Sequence, residues 1–228
     1  MSESTNNIQK NVELVFSYIY KNRIIILSIC SLIIIVIAGI LLYKSNIEKK
    51  DLKVNSDFEN ALTLYALYQN NQIPTENATS ILVDITTRFQ KSYSEAKGKK
   101  LKSRIAYSLG NIYFDVANYT EAKKYYKEVA NYRGFYLQEP ATYNLATTLI
   151  QMTNYSEALT TLESFVKAYP NSYLNPQATL SLSDVYRKQN DKTKALGVLR
   201  NWINNNTNSV EYIPIFNETI TLIENNIY

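Results

Sequence analysis

Histidine is absent from this chain, and cysteine occurs once, at Cys30. Without imidazole there is no His-based catalytic triad and no histidine metal cage. The single thiol falls inside an apolar run, where it serves as a small filler. Five glycines and five prolines in 228 residues argue against sandwiches, other sheet folds and long flexible linkers. None of Gly39, Gly98, Gly110, Gly134 and Gly197 sits near another, so no phosphate-cradling loop can be built. Enzymatic chemistry, a metal and a cofactor are therefore not expected. A formal net charge of +4 is modest. The cluster Lys91, Lys97, Lys99, Lys100, Lys102 and Arg104 has acids such as Glu95 mixed in and no base-reading motif beside it, so it reads as a solvated face and predicts no nucleic-acid partner. Five Asn-x-Ser/Thr tripeptides, at Asn77, Asn118, Asn154, Asn205 and Asn217, are what an Asn-rich chain produces by chance.

What is present begins with Ile24 to Tyr43, a charge-free stretch bounded by Lys21 and Arg23 before it and Lys44 after. As a helix it would rise roughly 30 Å, the hydrocarbon thickness of a bilayer, and it predicts a transmembrane helix. A cleaved signal would have a shorter apolar core and a small-x-small site after it. A lipobox would have a small residue where Ile29 stands before Cys30. Charge does not orient the span, since Lys10, Lys21 and Arg23 face Lys44, Lys49, Lys50 and Lys53. An uncleaved helix near the N-terminus and a thiol-free remainder favour the large domain outside the cytoplasm.

The second feature is a repeat. Asn118-Tyr119-Thr120-Glu121-Ala122 returns as Asn154-Tyr155-Ser156-Glu157-Ala158, and a period of that length marks stacked helical pairs. Leu109-Gly110, Leu145-Ala146 and Leu182-Ser183 set a large and a small residue together on a first helix, with Tyr113, Leu149 and Tyr186 one turn later. Ala122, Ala158 and Ala195 follow on an antiparallel second helix. Its core stripe continues as Tyr126 and Val129, Leu162 and Phe165, Leu199 and Trp202. Asn118 and Asn154 occupy cap positions with Glu121 and Glu157 three residues on, which predicts a reciprocal capping box; Thr193 replaces the glutamate in the third copy. Glu121 and Glu157 are thus capping residues one repeat apart and not an acid–base couple.

This pattern resembles the tetratricopeptide repeat, and Tyr169-Pro170 matches the close of many such repeats. The resemblance implies an all-α chain: tail 1–23, transmembrane helix 24–43, helical stalk 44–58, degenerate first repeat 59–102, three repeats over 103–205 and a C-terminal capping helix over 211–228. The degenerate copy is read from Ala66 and Ala78, twelve apart, with Leu82, Ile85 and Phe89 after them and a long turn from Asn70 to Pro74. By analogy with the family, first helices line a concave protein-binding face exposing Arg104, Tyr107, Asn111, Phe114, Asp115, Tyr143, Thr147, Ile150, Gln151, Leu180, Asp184, Arg187 and Lys188. Tyr107, Phe114 and Tyr143 are the expected anchors. Of the family's clamp for peptide C-terminal carboxylates only Asn111 fits, so an internal segment or folded partner is expected.

A short polar tail, one membrane helix, a charged stalk and a closing helix opened by Pro214 and ending Glu224-Asn225-Asn226 also resemble the YfgM-like ancillary subunits of the bacterial SecYEG translocon. The phrase from Phe165 to Ser172 resembles repeats of the division coordinator CpoB and the outer-membrane assembly lipoprotein BamD. The first likeness implies a single-pass inner-membrane scaffold with its repeats extracytoplasmic, translocon subunits or an envelope chaperone as partners, and no small-molecule substrate. The second implies a scaffold for envelope assembly or division.

Overall fold

The computed structural model describes residues 13, 14 and 17–227, without the side chains at 75 and 77. The tail expected over 1–23 lies largely outside the described residues. The chain divides into two compact units, Met1–Lys50 and Asp51–Tyr228. Helix α1 (Arg23–Gln69) begins in the first and ends in the second.

In the first unit, α1 contains a window of 18 residues with mean hydropathy 3.2, none of it buried, and is long and apolar enough to cross a membrane. Its polar side chains make few demands on that setting. Ser28 Oγ donates to the Ile24 carbonyl at 2.9 Å and Ser31 Oγ to the Ser28 carbonyl at 2.9 Å, so both hydroxyls are satisfied within their own helix.

In the second unit, α1 is followed by α2 (Thr75–Glu95), α3 (Lys99–Asp115), α4 (Tyr119–Ala130), α5 (Gln138–Gln151), α6 (Tyr155–Ala168), α7 (Asn175–Lys188), α8 (Lys192–Asn205) and α9 (Ile213–Glu224). Helices α3/α4, α5/α6 and α7/α8 are antiparallel pairs with predicted stripe residues in their cores: Leu109 shares a cluster with Val129, joined there by Ile105 and Ile112, which the stripe pattern did not name, while Leu162 and Phe165 join Leu182, Leu199 and Trp202. The small-residue rule also holds. Gly110, Ala146 and Ser183 are all buried, and Ser183 Oγ uses the close approach to donate to the Ala195 carbonyl of α8 at 2.9 Å.

One turn design recurs. Ala117, Thr153 and Asn190 adopt φ of 57°, 55° and 61°. The residue after each donates its N–H five residues back, Asn118 to Tyr113 at 2.8 Å, Asn154 to Leu149 at 2.9 Å and Asp191 to Tyr186 at 2.9 Å. This is a Schellman closure. The same Asn118, Asn154 and Asp191 then cap the next helix, accepting from the N–H groups of Glu121, Glu157 and Lys194. The reciprocal arm expected from the glutamates does not form, because the cap N–H is already spent on the preceding helix. Glu157 instead accepts from the Asn154 side chain at 3.0 Å and from Lys123 of the preceding repeat, which joins α4 to α6.

The first copy departs from its expected register. Asn71, φ 54°, closes α1 in the same way, but two further residues separate it from α2 than in the later copies. Counted back from that turn, Leu64 and not Ala66 takes the small-residue position. Ala66 is exposed, while Val54, Phe58, Ala61 and Tyr65 form the buried stripe of α1 against Ile85 and Phe89 of α2. At the other end, Asn175 is a buried polar hub: its Nδ2 donates to the carbonyls of Val166 at 3.2 Å and Tyr169 at 3.0 Å, and its Oδ1 accepts from Trp202 Nε1 at 2.9 Å. One side chain thereby ties together the end of α6, the start of α7 and the core of α8.

Candidate protein-binding face

The expected face is carried by the first helices α3, α5 and α7, and the structure sorts its residues into three groups. Arg104, in the second turn of α3, and Asp115, at its end, are engaged by α1: Arg104 donates to Asn55 at 3.1 Å and pairs with Glu59 at 2.7 Å, and Tyr65 donates its hydroxyl to Asp115 at 2.6 Å. They brace α3 against α1. A second group converges on a cavity of about 240 Å³ in which Asn111, Phe114, Asp115, Tyr143 and Thr147 meet Gln69, Tyr126 and Asn144. The third group, Leu180, Asp184 and Arg187, lies apart, lining a cleft of about 180 Å³ with Thr219, Leu222, Ile223 and Ile227 at the C-terminal helix. Lys188 pairs with Asp184 at 3.1 Å. Between the groups, Ile150 packs into the core and Gln151 is exposed.

The central cavity is lined by both polar and aromatic side chains. Tyr126 donates to Asn111 Oδ1 at 2.8 Å, which occupies the one residue that matched a carboxylate clamp. Tyr107 stands beside it, edge-on to Tyr126 at 5.9 Å, and accepts from Asn144 Nδ2 at 3.2 Å. Phe114 meets Tyr119 edge-on, and Tyr143 leans on Phe165. Burial raises the Tyr107, Tyr126 and Tyr65 phenols above their ordinary range, the last with help from the neighbouring Asp115 carboxylate. At neutral pH they are uncharged hydrogen-bonding groups, and Tyr65 and Tyr126 spend their rings on the core beneath the face. Among the described residues no group of His, Cys, Asp and Glu side chains could hold a metal ion.

Gln69, Tyr126 and Asn144 were missed as face residues. Tyr126 was legible as core, but nothing in its own repeat shows that its hydroxyl reaches Asn111. Gln69 enters because α1 packs alongside α3, a neighbour the periodicity of the later repeats does not specify.

Family models of the tetratricopeptide repeat match residues 103–134 and 143–209. Tetratricopeptide repeats are present in this chain. Two solved structures resemble it: a Podosopora anserina protein of nearly identical TPR-like repeats, with 12% identity and a TM-score of 0.59 over 76% of this chain and 86% of that one, and the apo form of RapI, with 15% identity and a TM-score of 0.59 over 76% of this chain and 64% of RapI. At those identities the likeness is one of fold. No curated protein matches the sequence. The tetratricopeptide repeats indicate a scaffold for protein–protein interaction, with protein partners.

Proposed function

We propose that this protein is a single-pass, membrane-anchored scaffold whose repeats lie outside the cytoplasm and assist protein translocation or envelope protein folding at a bacterial inner membrane. One observation carries the reading: a charge-free span at Ile24 to Tyr43 precedes, in the same chain, tetratricopeptide repeats with an aromatic cavity on their first helices. The terminal likeness to YfgM-like translocon subunits supplies the finer assignment. The repeat phrase from Phe165 to Ser172, similar to CpoB and BamD, favours envelope assembly or division as the second reading. On either reading the partner's side chains enter beside Phe114 and Tyr143, and the small residues Ser28, Ser31, Ala38 and Gly39 are where another membrane helix packs.

Site-specific crosslinkers test this. At Tyr143 the expected capture is an envelope folding factor or a translocating chain, and at Ser31 a membrane subunit of the channel. Capture of only division or outer-membrane assembly proteins at both positions transfers the assignment to the second reading. Protease added to spheroplasts should trim the protein to its anchor; an intact, protected repeat domain reverses the orientation.

A further inference from the structure

The alternation of helices in the second unit collects its connections into two edges of different chemistry. One edge holds the tight turns around Asn71, Ala117, Thr153 and Asn190, left-handed residues that are small or polar, with Val116 47% exposed beside them. The other holds the loops at 96–98, 131–137, 169–174 and 206–212, and Asp51 lies there too: its carboxylate accepts from the backbone N–H groups of Lys97 at 2.8 Å and Gly98 at 2.7 Å. This second edge is leashed to the candidate span. Tyr43 and Asp51 are eight residues apart in sequence, about 12 Å of helix and no more than about 28 Å of extended chain.

That edge combines basic side chains with exposed aromatic and apolar ones. Lys53, Lys97, Lys99, Lys100 and Arg133 are exposed. Among the described residues, Lys53, Lys97 and Lys100 take part in no ion pair. Successive loops also present large apolar or aromatic side chains to the outside: Tyr136 is 67% exposed, Tyr173 73% and Val210 84%, with Leu52 at 69% beside Lys53. Of the basic cluster seen in the sequence, Arg104 is drawn inward by Glu59 and Lys102 lies on the Tyr93 ring, so the outward charge is that of the edge lysines. Glu95, Glu139 and Glu211 share the edge, the last at its far end. Asp51 is spent on the two N–H groups, and the lysines gather at the corner where the chain arrives from the span.

Lysine with interfacial tyrosine is the pairing that suits a bilayer surface: the ammonium groups meet anionic headgroups, and the rings and aliphatic tips enter the headgroup layer. Water gives the exposed rings no apolar contact, whereas the headgroup layer does, and anionic headgroups attract the ammonium groups. We infer that the edge carrying the 96–98, 131–137 and 169–174 loops lies on the surface of an anionic bilayer, held there by Lys53, Lys97 and Lys100 with Tyr136 and Tyr173 as interfacial side chains. This inference rests on the membrane-anchor reading of α1.

The test uses the full chain with Cys30→Ser, reconstituted into phosphatidylcholine vesicles with or without phosphatidylglycerol. A single fluorescent cysteine replaces Tyr136, Tyr173 or, as the control on the other edge, Asn190, and a nitroxide on the lipid headgroups acts as quencher. Quenching is expected at the first two positions and not at Asn190→Cys, only with phosphatidylglycerol, and it should be lost at high salt. Lys97→Glu with Lys100→Glu, both exposed, should weaken it by about fivefold or more for each lysine reversed. Equal quenching at both edges, or quenching indifferent to the anionic lipid, overturns the inference. A chain that floats with the vesicles after an alkaline wash but shows no quenching in the loops overturns this inference alone, whereas a chain that does not float removes the anchor reading beneath it.

Discussion

At Gly110 a single methyl group separates a fit from a clash. A Cβ built there would lie 2.7 Å from two carbons of the Tyr126 ring. The other repeats show the compensation: Ala146 and Ser183 hold the same position, and Leu162 and Leu199 stand where Tyr126 does. Gly110→Ala normally gains about 1 kcal/mol in a helix, but overpacking costs about 1–3 kcal/mol, so the variant is expected to be less stable. Adding Tyr126→Leu, which restores the pairing of the second repeat, should recover part of the loss. Denaturant midpoints of the three proteins decide it, and a Gly110→Ala protein at least as stable as the parent contradicts the packing described. The need for a small residue was legible in Leu109-Gly110. That glycine in particular is required was not, because the partner ring lies on another helix, 16 residues on.

Among the elements, the first helices end on non-glycine residues in the left-handed region, and Thr153 at φ 55° is the least suited of them because it is β-branched. Glycine adopts that conformation without a Cβ penalty of about 1 kcal/mol. Thr153→Gly is therefore expected to raise stability by about 1 kcal/mol, since the hydroxyl lost bonds only to the exposed Met152 carbonyl. Calorimetry should show a higher melting temperature; a fall would mean that the side chain holds the turn through something other than its backbone. Sequence spacing located these turns and their caps. It misassigned the glutamates, because a capping-box spacing does not reveal that the cap N–H is already taken by the helix before it, and it misplaced the small residue of α1 because the longer turn shifts the count by two.

For the whole molecule the tyrosines set the response to pH. Burial raises Tyr65, Tyr93, Tyr107, Tyr125, Tyr126 and Tyr169, and burial with the Glu163 carboxylate pushes Tyr186 up to about 12. A group raised in the folded state contributes stability that is complete below its unfolded value, near 10 for a phenol, and is lost as pH rises from there through the folded value. Melting temperature should accordingly hold near neutrality and fall above about pH 10, with tyrosinate absorbance appearing together with the loss of helical signal. Smooth titration of all tyrosines with the helices intact would contradict their burial. By itself the sequence determined the helical class, the candidate span, the repeat length and the core stripes, because those follow from local periodicity and from contacts within one helix pair. Tertiary structure alone decided which residues of the first-helix face meet around the aromatic cavity, that Arg104 and Asp115 brace α1, and that Asp51 pins the Lys97–Gly98 loop. Each of those depends on packing between repeats, where two residues 40 or more positions apart meet only because every helix between them has taken its place.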